Sequence, residues 1–165
     1  MRLVLVFLSV ALAVPVAAQH GDHAHGAASG AGLPAAEAEG LRTGAGMGLA
    51  RSAETNHCPG PLHVLELADS LGLSDAQRVE AERLRAAMLA EAVPLGEQVL
   101  TVEGHLDALF AEGHATPEAV DRMTAHLGAL RGRLRAAHLR AHVAMRAALS
   151  DEQVMEYDRL RGYGP

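Results

Sequence analysis

Two stretches of this chain repeat the three-four spacing of a single helix face, and only four residues, Gly113 to Thr116, part them. Met88, Ala92, Leu95, Val99, Val102, Leu106 and Leu109 form the first stripe. Val120, Met123, Leu127, Leu130, Leu134, Ala141 and Met145 form the second. Such periodicity specifies amphipathic helices, each of which must cover its apolar side. A connection this short makes the two helices antiparallel neighbours. The expected fold is all-α, a long antiparallel helical hairpin with short flanking helices at both ends. Aromatic residues are only 2% of the chain, so the core must be built from Leu, Val, Met and Ala. Those residues suit helix-on-helix packing but make a thin core, which dimerisation commonly completes. A homodimer is therefore expected.

Local signals set the helix boundaries. Pro61 can open a short helix through Leu71, with Gly72 closing it. Ser74 is an N-cap with Gln77 three residues on, a capping box, so a helix should run from Asp75 to Glu112 and stop at Gly113. Pro94 and Gly96 should interrupt it and kink it. Thr116-Pro117-Glu118 starts a second long helix, reaching about Leu149. Ser150 and Gln153 then repeat the capping box, and a last helix should end at Gly162. Residues 75–112 carry eight acids against three arginines, and residues 118–148 six arginines against two acids, so the long helices also complement each other in charge.

Residues 1–18 read as a secretory signal: Arg2, an apolar run from Leu3 to Val14, and small residues at Val16-Ala17-Ala18. The mature chain is expected outside the cytoplasm. Residues 19–59, rich in His, Gly and Ala and without sustained apolar period, read as disordered. The helical domain is placed at 60–163. Basic residues number 14, all arginine, against 20 acids, for a formal charge of −6, which argues against a nucleic-acid partner. Cys58 is the only cysteine, so it is an intermolecular bridge, a metal ligand or a free thiol.

Leu73-Ser74-Asp75-Ala76-Gln77 and Leu149-Ser150-Asp151-Glu152-Gln153, on either side of the hairpin, resemble the paired LTxxQ motifs of the Spy/CpxP family. Both carry Ser where the family motif carries Thr. The resemblance covers roughly residues 60–163. It implies a dimer of bent hairpins without catalytic activity, in a family of periplasmic stress chaperones and metal-responsive relatives. The CnrX-type heavy-metal sensors share the hairpin design.

The residues themselves carry a possible metal site. His138 and His142 lie four apart on one helix, a spacing that presents two imidazoles to one ion. If the chain turns near residue 115, His138 faces Glu91 and Ala92, and His142 faces Met88. Glu91, His138 and His142, with Met88 or Met145 nearby, then form a candidate ligand set for Zn, Ni, Co or Cu, thioether favouring copper. The competing reading has both histidines on the hairpin's rim, hydrogen-bonded to Glu91. A weaker pairing sets Glu103 beside His126, where a structural ion pair competes with a metal site. His57, Cys58 and His63 offer imidazole and thiolate before the first hairpin helix, against a free thiol. His20, His23 and His25 could scavenge metal from the tail. The methionines read as core fillers, and the arginines of residues 131–146 as a solvated face or a surface for unfolded chains.

No Gly-rich phosphate loop, nucleophile elbow or rigidly held thiol–imidazole pair is present, so neither an enzyme nor an organic cofactor is expected. The expected function is a periplasmic metal-binding or heavy-metal-responsive stress protein. The alternative is an ATP-independent chaperone for unfolded envelope proteins. A membrane-bound signalling partner suits the first, unfolded proteins the second.

Overall fold

A computed structural model describes residues 32–163. The signal segment and His20, His23 and His25 lie outside the described residues. Among the described residues the regular elements are six helices: α1 (Ala35–Thr43), α2 (Arg51–Glu54), α3 (Pro61–Glu66), α4 (Asp75–Ala111), α5 (Pro117–Ala148) and α6 (Asp151–Arg161). None is long and apolar enough to cross a membrane.

The starts of the last three follow the sequence signals. Ser74 Oγ accepts from the Gln77 amide while the Gln77 side chain accepts from the Ser74 N–H, and Ser150 and Gln153 do the same at α6. Thr116 Oγ1 accepts from the Ala119 N–H at 3.2 Å, with Pro117 in the first turn of α5. Each motif satisfies backbone donors that a helix start would otherwise leave open. The two boxes also meet. Gln77 Nε2 donates to Gln153 Oε1 at 2.8 Å and to the Ala148 carbonyl at 3.0 Å. Gln153 Nε2 donates to Gln77 Oε1 at 3.1 Å and to the Leu71 carbonyl at 3.2 Å. This amide clasp ties the start of α4 to the α5–α6 junction and to the end of the α3 segment.

Two apolar clusters lie along the molecule. Leu41, Ala92, Leu95, Val99, Leu130 and Leu134 belong to one, formed by α1, α4 and α5. Val64, Leu84, Met145, Val154 and Tyr157 belong to the other, formed by α3, α4, α5 and α6. Full burial of such side chains contributes about 1.5–3 kcal/mol each. On the flanks Arg140 meets Glu91 at 2.6 Å and Arg131 meets Glu103 at 2.7 Å, the acidic helix against the basic one.

Two expectations are corrected. Residues 35–54 are not disordered: they form α1 and α2, and Leu41 is 1% exposed in the core. α1 comes close to α4 at a glycine of α4. A Cβ on Gly96 of α4 would lie 2.0 Å from the Leu41 carbonyl oxygen. Glu37 of α1 adds a second carboxylate to Arg131, at 2.9 Å. The helical domain thus begins well before residue 60. The second correction concerns Pro94 and Gly96, which do not interrupt α4. Pro94 removes one hydrogen bond on an exposed flank, where the freed Ala90 carbonyl can reach water. Gly96 serves the close approach of α1.

Candidate functional site

His138 and His142 sit one helical turn apart on the inward side of α5, 4% and 8% exposed. His142 Nδ1 lies 2.8 Å from the Cys58 carbonyl oxygen. A carbonyl only accepts, so Nδ1 is the donor of this bond, and Nε2 is directed elsewhere. That Nε2 borders Gly60, where an added Cβ would come within 2.7 Å of it and 3.1 Å of Glu54 Oε1. A side chain at position 60 would therefore displace the imidazole.

His138 Nε2 is fully buried with no hydrogen-bond partner among the described residues. Burial, and then the charge of His142, push the His138 pKa below its ordinary 6.5, so the ring is held neutral. Because the folded-state pKa is depressed, this group's contribution to stability is present above pH 6.5 and is lost as the pH falls through the folded value. Metal-free protein is expected to lose denaturant resistance between pH 7.5 and 5. His138→Gln, which cannot charge, should flatten that slope; an equally steep slope in the variant would refute the assignment. Glu54 and His142, the titratable neighbours, are to be varied in parallel.

Glu54, at the end of α2, stands where the sequence pointed to Glu91. It is 9% exposed, and its Oε2 accepts from the Tyr157 hydroxyl at 2.9 Å. Its Oε1 lies 3.8 Å from His142 Nδ1. Burial, and then Glu54 itself, push the Tyr157 pKa far upward, so the phenol stays a donor. These groups edge a cavity of about 520 Å³ bounded by the α1–α2 loop, α3, α4 and α5. His63, Met88, His138, His142 and Glu54 line it.

The other candidate ligands are dispersed. Glu91 is not with the histidines: it pairs with Arg140 on the outer flank, its side chain 56% exposed. Neighbouring residues on a helix point about 100° apart, so Glu91 cannot share the inward direction of fully buried Ala92. Met145 is fully buried in the core cluster of Val64 and Tyr157, not on the cavity. Glu103 pairs with Arg131, while His126 is exposed and takes no part. His57 Nδ1 lies 2.5 Å from Asp158 Oδ2, and His63 Nδ1 lies 2.8 Å from Glu66 Oε2. Cys58 contributes its carbonyl to His142. Among the described residues no three His, Cys, Asp or Glu side chains form a ready metal-ligand group.

Glu54 and its partner Tyr157 are the site residues that sequence reasoning missed. Tyr157 was the traceable one. In a chain with so few rings, a tyrosine on a capped helix marks a buried hydroxyl that needs an acceptor. Glu54 carried no such mark, because its segment reads as unstructured. Set against family models, curated proteins and solved structures, the chain matches none.

Proposed function

We propose that the chain is an envelope protein of the Spy/CpxP type, an α4–α5 hairpin that binds a transition-metal ion at His138 and His142 in response to heavy-metal stress. The carrying observation is His138 Nε2, a buried nitrogen without a hydrogen-bond partner among the described residues, one helical turn from a second imidazole whose Nδ1 faces the Cys58 carbonyl and whose Nε2 faces Gly60. Unpartnered buried polar atoms are costly, and a metal ion is one way to satisfy them. Glu54 takes the carboxylate role in place of Glu91, and Met88 stands on the same cavity. Imidazole and carboxylate suit Zn, Ni, Co or Cu(II), and a thioether shifts preference toward copper. Two imidazoles and one carboxylate leave coordination positions open, which favours an exchangeable ion over a structural one. The apolar run at residues 1–18 supports export.

Calorimetric titration of metal-stripped protein with Zn, Cu, Ni and Co should show one ion per chain. His138→Ala with His142→Ala should abolish binding, Glu54→Ala should weaken it by on the order of tenfold, and Glu91→Ala should leave it unchanged. Absence of binding at micromolar metal eliminates the proposal. Metal-independent suppression of client aggregation, with no metal bound, would replace it with the chaperone reading.

The proposed assembly is a homodimer. Val143 and Met155, each 64% exposed, are apolar surface that a second copy can cover. Light scattering should return twice the chain mass, and a monomer at micromolar concentration would remove the dimer.

A further inference from the structure

The cavity beside His138 and His142 carries a charge pattern that a metal site alone does not require. In a chain of formal charge −6, its rim holds three arginines, Arg51, Arg85 and Arg161, against one carboxylate, Glu54. Glu54 is already engaged by Tyr157. Arginines elsewhere mostly sit on carboxylates, as Arg78, Arg83, Arg131, Arg140 and Arg159 do. Arg51 and Arg85 have no side-chain partner among the described residues, and Arg161 donates to the Tyr163 hydroxyl at 3.4 Å, lies 5.8 Å from the centroid of that ring and shares the field of Glu54. Guanidinium groups that outnumber the carboxylates around a concave space are the usual way to recognise carboxylate or a comparable oxyanion.

The remaining wall is apolar. Met47 and Leu62, each 43% exposed, face the cavity together with Met88 and Leu89. Met47 holds a φ of +43°, a backbone conformation that non-glycine residues seldom adopt and that clusters at ligand clamps. About 520 Å³ lies within the range of small-molecule sites. We propose that this cavity binds a small organic anion, with an anionic head held by Arg51, Arg85 and Arg161 and a compact apolar body against Met47, Leu62, Met88 and Leu89. Binding does not depend on a metal. The positive rim opposes a bare cation, so a bound anion would offset that field for any ion at the histidines.

The test uses full-length metal-stripped protein and the fluorescent probe 8-anilinonaphthalene-1-sulfonate, with uncharged N-phenyl-1-naphthylamine for comparison. The sulfonate should bind one per chain, at least about tenfold more tightly than the neutral ring system. Hexanoate should displace it and hexylamine should not. Arg51→Gln with Arg85→Gln should weaken the sulfonate by at least about tenfold while leaving the neutral compound and the melting temperature unchanged. Arg122→Gln with Arg135→Gln, remote from the cavity, should change nothing. Equal affinity for the two probes, displacement by hexylamine, or an unaltered double variant overturns the proposal. Failure of metal binding leaves every one of these outcomes readable.

Discussion

Gln153→Leu is expected to lower the unfolding free energy by about 3 kcal/mol, although the position lies at a surface-facing helix start. The substitution keeps most of the side-chain volume and removes four polar contacts at once. The Ser150 N–H loses its acceptor, the Leu71 carbonyl loses its donor, and the Gln77 amide loses both exchanges with its counterpart. Each part-buried group left open costs about 1–3 kcal/mol, and relaxation with water entry recovers some of it. Gln77→Leu should cost a similar amount, because Gln77 alone holds the Ala148 carbonyl and the Ser74 N–H. The decisive reading is the double variant. Two independent caps would add, whereas a shared clasp makes the second loss smaller than the first. Denaturant unfolding of all four proteins measures this, and strict additivity would show that the motifs act only as separate capping boxes.

The clasp also marks where sequence reasoning succeeds. A capping box is local, so Ser74, Gln77, Ser150 and Gln153 could be placed from spacing alone, as could Thr116 and Pro117. The apolar stripes likewise found Leu95, Val99, Leu130 and Leu134, because a three-four period records which side of a helix meets apolar neighbours. Nothing local says that the two glutamines bond to each other. The same limit explains the site. Estimating the facing residue from a turn near 115 fixes position along α4 to about one residue, and one residue is about 100° of rotation. Ala92 therefore points to the core while Glu91 takes Arg140 outside. The carboxylate beside His142 arrives from position 54, on a segment whose glycines and alanines hide its order. The segment shows no apolar period, yet Ala38 and Leu41 are nearly fully buried there. Gly60 and Gly96 could not be interpreted without knowing that His142 and Leu41 press against them.

Gly96→Ala makes that last point testable, because two known effects oppose each other in sign. In an exposed helix interior, alanine stabilises by about 1 kcal/mol over glycine. Gly128 and Gly132 on α5 meet that condition, with no atom within 4 Å of an added Cβ, and each alanine substitution there should raise stability by about that amount. At Gly96 the new methyl would meet the Leu41 carbonyl oxygen at 2.0 Å and its carbonyl carbon at 2.7 Å. Backbone atoms cannot rotate aside as a side chain can, so α1 must lift from α4. Leu41 then loses burial worth about 1.5–3 kcal/mol, and Glu37 is drawn away from Arg131. The net expectation is a loss of about 1–3 kcal/mol, after the gain in helix propensity is counted. It should be localised: amide exchange across residues 35–43 should accelerate far more than across 117–148. A stabilised Gly96→Ala protein with unchanged exchange in α1 would mean that the segment does not rest on α4. Glu54 would then have no rigid support, and the cavity would lose one of its walls.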